Sequence, residues 1–410
     1  MITQVVPYSD LTHLIITPAL IDPDSMVAVI GDINCPPSHC IAILNSRQHR
    51  LPEAQDSWLS ATSSAVEKAV FDNGTLMSSV GMTTWEWIVW NTRRLKGHQI
   101  IIVPRGKVSG FQETVRQIVA DFDLDPTRTT FLMPFNPKKK PFRKLVYPER
   151  DRWAVALSHT IKPISIRSSG VMARLLAETG LSAKIDASAQ ISHYGGRSRA
   201  DPLSAILAKS DSPFEITGWG DVDASAYLTH WTRACHGPWH GERKADFYSD
   251  LYRAKSGYPR DGFNTLKRIL MEQKIRASGR MMPGGTPMIS WTARTPVELL
   301  EIIRWRPGFI RWNFEPFGIS IRREILESLG AKRVTYGTQD QFDGFPLSQQ
   351  PFFQRITPEK DWSLEEEWRL PGDLDLGNIS DQDALVWVQS PSQVDGSQKL
   401  SPFPVRSLLT

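Results

Sequence analysis

Apolar positions recur along this chain in two rhythms. Short unbroken runs, MVAVI at 26–30 and IAIL at 41–44, are bounded by Gly, Asp, Asn and Pro, as in strands buried on both faces. From Asp56 the spacing becomes helical. Trp58, Leu59, Ala65, Val66, Ala69 and Val70 share one face, and Asn73-Gly74 ends the run. TLMSSVGMTTWE then predicts a strand, a Ser-Ser-x-Gly turn and a helix. HQIIIVP at 98–104 is another buried strand, and Phe111, Val115, Ile118, Val119 and Phe122 face one side of a further helix. Strand–helix alternation with short joins predicts an α/β domain, a Rossmann-like, mostly parallel sheet covered on both faces. From about 215 the pattern changes. TLKRILMEQKIRAS puts Leu266, Ile269, Leu270 and Ile275 on one helical face, and TPMISWT is a short strand. TPVELLEIIRW has Thr295 as N-cap, and PFGISIRREILESLGAKRVTYG reads strand, helix, Gly stop, strand. EEEWRLPGDLDL and ALVWV are later strands, so this part is mixed α+β. The expected division is 1–200, 201–390 and a loose Ser/Pro/Gln-rich tail at 391–410, with HYGGRSRAD at 193–201 as a basic hinge.

In a parallel sheet, ligands sit beyond the carboxyl ends of the strands. The turns expected there are Asn45–Gln48, Ser78–Thr83, Pro104–Gly106 and Ser168–Gly170. Their small residues let backbone amides approach phosphate at helix N-termini. NPKKKPFRK at 136–144 concentrates Lys138, Lys139, Lys140, Arg143 and Lys144 beside Phe135 and Phe142, a candidate phosphate-contacting loop; the plainer reading is a solvated loop.

Charge changes this picture little. A net charge of +4 permits an anionic partner without demanding one. Cys35, Cys40 and Cys235 are odd in number and form no CxxC pair. With no charged-then-apolar leader, they point to a reducing cytoplasm. No apolar run reaches the ~20 residues of a membrane span. Fourteen tryptophans favour an aromatic-walled pocket.

In the first domain, AILNSRQ, LMSSVGMTTWE and YPERDRWAVALSHTIKPISIRSSGVMARLL resemble, in order, motifs of the SLOG superfamily, the Rossmann group of DNA-processing protein A and the lysine-decarboxylase-like proteins. The resemblance covers roughly 25–180. It departs where Asn45 replaces the first glycine and Asp151 replaces an asparagine. It implies a nucleotide- or nucleic-acid-binding domain, with DNA as the expected partner. Ser46, Arg47, Ser79, Gly81, Arg150, Arg152, Ser169 and Gly170 are its candidate nucleotide-site residues.

Over about 225–390, LTHWT, TLKRILMEQKIRAS, PMISWT and DWSLEEEWRL resemble in order the ADP-ribosyltransferase-like fold of DarT-type toxins and abortive-infection relatives. That resemblance implies NAD as cofactor and a setting in phage defence or DNA modification. Transfer from NAD needs a carboxylate to stabilise an oxocarbenium-like centre and can use a second as base. Glu367 and Glu365 are the candidates, alternating on one face if their segment is a strand. His230 would anchor the dinucleotide and Ser290 would orient the glutamate. The plain alternative is a solvated strand edge with its carboxylates paired to Arg369.

YLTHWTRACHGPWHGER at 227–243 keeps several readings open. His230 is the anchor in the transferase reading. An NAD-independent nucleic-acid base-modifying enzyme, for instance one acting on a 7-deazaguanine nitrile, would work through Cys235 as nucleophile with His236 or His240 as base, or through the acidic cluster. His230, Cys235, His236 and His240 could bind zinc, although no second ligand pair is evident and no metal is expected. A packed structural loop, or a non-enzymatic nucleic-acid-binding module, completes the set.

Overall fold

A computed structural model of the protein describes residues 3–11, 14–32, 39–104, 106–139, 143–178, 180–193, 223–279, 282–295, 298, 303, 305–306, 311–357 and 362–408. The chain forms two compact units, Met1–Arg199 with Glu242–Pro259, and Ala200–Gly241 with Arg260–Thr410. The expected boundary at 200 therefore misses an excursion: Glu242–Pro259 returns to the first unit. Its helix shows why, because Ala245, Phe247, Tyr248 and Leu251 lie in one apolar cluster with Phe111, Val115 and Phe122.

The first unit is a seven-stranded sheet. Its strands are β1 (Gln4–Pro7), β2 (Met26–Ile30), β3 (Cys40–Asn45), β4 (Thr75–Ser79), β5 (His98–Ile102), β6 (Thr129–Phe135) and β7 (Thr160–Ser165), in the order β1-β2-β6-β5-β4-β3-β7. The run β6-β5-β4-β3-β7 is parallel, and β1 and β2 are antiparallel additions at one edge. Side chains alternate between two cores. Val27, Val29, Ile100 and Ile102 face one, and Ala28, Ile30, Ile101 and Val103 the other. Helices α1 (Ser57–Phe71), α2 (Thr83–Arg94), α3 (Phe111–Phe122), α4 (Arg143–Ala156), α5 (Val171–Leu176) and α6 (Lys244–Arg253) complete the unit. The strand order turns back between β3 and β7, which makes a topological switch point at their carboxyl ends.

The second unit has its own seven-stranded sheet, almost wholly antiparallel. Its strands are β8 (Tyr227–Trp231), β9 (Met288–Thr292), β10 (Gly318–Arg322), β11 (Lys332–Arg333), β12 (Glu367–Pro371), β13 (Ala384–Val388) and β14 (Val405–Ser407), ordered β11-β12-β9-β8-β10-β13-β14. Helices α7 (Gly262–Glu272), α8 (Arg323–Ser328) and α9 (Val394–Gln398) accompany it. Leu228, Ile289, Trp291, Ile319, Ile321, Leu370 and Val386 belong to the main core. Tyr227, Trp231, Leu385, Trp387 and Leu408 form a smaller one.

The tail expected to be loose is folded. Val405–Ser407 pairs in parallel with Val386–Val388, and Phe403 and Leu408 are fully buried. Its apolar residues are few but placed to cap β13, which composition alone hides. Among the described residues no helix is long and apolar enough to cross a membrane.

Candidate functional sites

At the switch point of the first unit, β3 and β7 end side by side. Their register shifts between Leu44 and Asn45, so that Asn45 lies opposite Ser165. Such a bulge re-aims side chains at a strand end. Ser46 donates its amide to Ser165 O at 2.9 Å, and its hydroxyl accepts the Arg167 amide at 3.0 Å. Gln48 Nε2 reaches Ser165 Oγ at 2.9 Å and His193 Nδ1 at 3.2 Å. An amide nitrogen can only donate, so His193 Nδ1 accepts, and its buried Nε2 meets no partner among the described residues. Asn45 Oδ1 is likewise buried and has no partner among the described residues. Arg47, Arg167, Ser168 and Ser169 are exposed around this cluster, and Gly170 caps the six-residue α5. This edge offers the exposed guanidinium groups of Arg47 and Arg167 and the hydroxyls of Ser168 and Ser169 to an anionic ligand.

The other carried-over residues lie elsewhere and are engaged. Ser79 is fully buried and donates its hydroxyl to Ile102 O at 2.6 Å. Gly81, in the left-handed region at φ +88°, gives its amide to the Glu86 carboxylate at 2.8 Å. Glu86 also takes Lys244 Nζ at 2.8 Å and Tyr248 OH at 2.9 Å. The expected phosphate turn after β4 is thus closed by the chain's own anion, a carboxylate at the start of α2. Arg150 is buried, pairs with Asp151 at 2.7 Å and stacks near Trp85 and Tyr147. Burial raises the Asp151 pKa against the pull of Arg150. Arg152 pairs with Glu178. Of the basic loop, Lys138 and Lys139 are paired with Asp24 and Asp22, which removes two of its free charges. Arg143 and Lys144 open α4, and Lys140 lies outside the described residues.

The second unit contains a cleft of about 500 Å3. It opens because β8 and β9 share a single register pair, Thr229 with Thr292, while β8 pairs with β10, and β9 with β12, over five residues each. The diverging strands are bridged by a side chain: His230 Nδ1 lies 2.9 Å from Ser290 O. A carbonyl only accepts, so Nδ1 carries the proton and Nε2 keeps its lone pair in the neutral ring. Burial holds the His230 pKa below 6.5, so the ring is neutral at pH 7.

Across the wedge, Ser290 Oγ donates to Glu367 Oε1 at 2.8 Å. Arg369 grips the same carboxylate with both arms, Nε to Oε1 at 2.9 Å and Nη2 to Oε2 at 2.8 Å. Arg369 is 2% exposed, and its remaining donors reach Pro351 O, Phe353 O and Gln354 Oε1. The backbone amide of Glu367 is held by Tyr336 OH at 2.8 Å, whose pKa burial pushes up to about 12. The pairing with Arg369 foreseen for a solvated strand edge therefore exists, but inside a wall. Glu365 and Glu367 do not alternate on one strand. Ser363–Glu365 is a 3-10 turn, Glu366 is left-handed at φ +41°, and β12 begins only at Glu367. Both carboxylates nevertheless line the cleft.

The rest of the wall is aromatic and basic. Trp231, Trp239, Trp291, Trp312, Phe314 and Trp362 line it. Trp239 carries the Arg260 and Arg268 guanidinium groups at 3.7 and 4.9 Å from its ring and donates Nε1 to Thr265 Oγ1 at 3.1 Å. The 232–240 loop is thereby fastened to α7. Glu315 fastens it again, accepting the Ala234 and Gly262 amides. A Cβ on Gly262 would stand 2.5 Å from Glu315 Oε2, so this approach requires glycine. Cys235 lines the cleft and its thiol donates to Pro238 O at 3.4 Å, a contact of the protonated form. The ring of His240, also on the lining, makes no hydrogen bond among the described residues, and His236 is not among the lining residues. Nor do three His, Cys, Asp or Glu side chains come together as metal ligands among the described residues, so the zinc reading of this stretch has no geometry behind it.

Nothing in the sequence marks Arg233, Lys274, Trp239 or Glu315 individually as site residues. Arg233 sits inside the quoted stretch, but a lone arginine has no spacing to mark it. Arg369 was recognised only as a surface partner, because its burial depends on the 351–354 segment.

No family model and no curated protein matches the chain. Among solved structures, DNA processing protein A from Helicobacter pylori, described for its single-stranded DNA binding mode, is similar at 14% identity and TM-score 0.31, over 42% of this chain and 75% of that one. The Streptococcus pneumoniae DNA processing protein A is similar at 12% identity and TM-score 0.34, over 50% of this chain and 69% of that one. Both are partial likenesses at low identity.

Proposed function

We propose that this protein is an enzyme whose second unit transfers a glycosyl group from a nicotinamide dinucleotide, in the manner of ADP-ribosyltransferase-like folds. Its first unit would recognise a nucleotide or nucleic acid at the β3–β7 switch point. The observation that carries the reading is the Glu367 carboxylate, oriented by Ser290 and Arg369 within an aromatic-walled cleft. The cleft volume lies within the roughly 300–1,000 Å3 of small-molecule sites, and the aromatic rings suit planar heterocycles.

A bound dinucleotide would supply an N-glycosidic bond whose cleavage leaves positive charge on the ribose. Glu367 answers that charge electrostatically and accepts a ribose hydroxyl. Three of its roughly four acceptor positions are used by Ser290 and Arg369, which leaves one for the ligand. Ser290 and Arg369 fix the carboxylate before the ligand arrives, so little reorganisation is needed. Glu365 is the second carboxylate, placed to take a proton from the acceptor. His230, neutral and with its Nε2 lone pair free, accepts a ligand hydroxyl.

Nicotinamide release from NAD by the full-length chain, with nucleotides and short DNA as acceptors, tests the reading. Glu367→Gln is expected to cut turnover by roughly 100-fold or more. That change also removes the charge partner of buried Arg369, so Ser290→Ala serves as a second variant. It leaves the ion pair intact and should cost about tenfold in turnover with an unchanged unfolding midpoint. No nicotinamide release by the unaltered protein, or full activity in both variants, would sink the reading. Loss in Cys235→Ser with Glu367→Gln tolerated would hand the chemistry to a thiol.

A further inference from the structure

Charge in the second-unit cleft does not balance. Five cationic side chains line it, Arg233, Arg268, Lys274, Arg276 and Arg369, against three carboxylates, Glu272, Glu365 and Glu367. Most of these are already engaged. Glu272 takes Arg268 at 2.7 Å and Arg276 at 2.9 Å, and Glu367 takes Arg369. Arg233 and Lys274 have no carboxylate within ion-pair distance among the described residues. Arg233 makes one long hydrogen bond, from Nη1 to Asn313 O at 3.5 Å. Lys274 ends no hydrogen bond with its ammonium group, although it stands opposite Asp375 in the short pairing of Lys274–Ile275 with Leu374–Asp375. Two cations thus line a concave aromatic site without a direct ion pair among the described residues, and Arg233 feels the more distant charges of Glu365, Glu367 and Glu315. Arg233 is exposed to solvent on the cleft lining, so its guanidinium is open to an incoming anion.

We propose that Arg233 and Lys274 together receive the diphosphate of a nucleoside diphosphate ligand, the part of the molecule that this cleft recognises most strongly. A diphosphate diester carries two negative charges, which match the excess of two positive charges on the lining. Arg233 supplies a fork of donors suited to phosphate oxygens, and Lys274 supplies a point charge. Arg233 shares the cleft lining with Glu365 and Glu367, whose charges act on it. The diphosphate would then lie beside the reacting ribose and leave the aromatic wall for the bases. This assignment deepens the glycosyl-transfer reading by naming its anion-binding residues, but it is tested by binding alone.

The experiment is titration calorimetry of the full-length protein with ADP, AMP and adenosine, set beside nicotinamide release from NAD. ADP is expected to bind at least tenfold tighter than adenosine, with AMP between them. Arg233→Gln and Lys274→Gln should each weaken ADP by roughly 10- to 100-fold while leaving adenosine within about twofold. Equal affinity for ADP and adenosine, no binding of any of the three, or an ADP preference that survives both substitutions overturns the proposal. Diphosphate selectivity without NAD cleavage keeps the anion site and rejects glycosyl transfer. NAD cleavage without diphosphate selectivity does the reverse.

Discussion

Glu315→Gln should change how stability depends on pH, and its size can be worked from the contacts. Glu315 lies half-buried at the N-terminus of α7 and accepts two backbone amides, one from the cleft loop and one from the helix. Burial raises its pKa to about 7, and the neighbouring Asp261 adds to the rise, against the pull of the two amides and Arg233. In the unfolded chain the group titrates near its ordinary value of 4.5. Between these values the folded protein holds a proton that the unfolded chain has lost. Stability is therefore fully present below the unfolded pKa, falls as pH rises toward about 7, and levels off above it. The span corresponds to about 3 kcal/mol. Glutamine does not titrate. Its carbonyl can keep one amide, while its NH2 faces the other. Asp261, whose pKa burial also raises, titrates in both proteins, so the difference between them reports Glu315 together with its coupling to Asp261. Urea unfolding followed by tryptophan fluorescence from about pH 5 to pH 8 reads it. The variant should lose ground to the parent at low pH and gain relative to it at high pH. Parallel pH curves would refute the account of Glu315 as a carboxyl kept protonated by burial.

Two predictions concern the first unit. Arg47→Ala, on an exposed side chain at the switch point, should weaken binding of an anionic nucleotide or short DNA by about 1.5–3 kcal/mol without moving the unfolding midpoint; unchanged affinity in calorimetry removes the assignment. Glu86→Ala leaves the Gly81 amide and the buried Tyr248 hydroxyl without their acceptor and should destabilise the unit by about 2–4 kcal/mol in urea; a neutral result would mean that water replaces the carboxylate freely.

The alternation of buried strands and amphipathic helices made the first unit legible because each element announces itself locally. IAIL, TLMSS and HQIII are strands wherever they pack, and Asn73-Gly74 stops α1 by its own conformational preferences. What the sequence concealed were side chains whose role depends on distant partners. Gly81 looks like a phosphate turn until Glu86 is seen on its amide, supported by Lys244 and Tyr248 from more than 150 residues away. Ser290 and Glu367, separated by 77 positions, meet because β9 and β12 pair in one particular register. That register followed from no periodicity in either strand.

The stretch from Tyr227 to Arg243 shows why density of reactive residues is a poor guide to chemistry. Its two tryptophans do unlike things: Trp231 belongs to the smaller core with Trp387, and Trp239 serves as a platform for Arg260 and Arg268. Its cysteine is tied to a carbonyl, and its first histidine spans a gap that backbone hydrogen bonds leave open between β8 and β9. The residue with the most unspent interaction is the least conspicuous one, Arg233, whose guanidinium faces the cleft with a single long hydrogen bond. An exposed guanidinium on a concave wall, with no carboxylate at ion-pair distance among the described residues, keeps its donors for a ligand. On this reasoning the stretch serves chiefly to build a rigid wall, through Trp239 and Glu315, that presents one arginine and one histidine to a ligand.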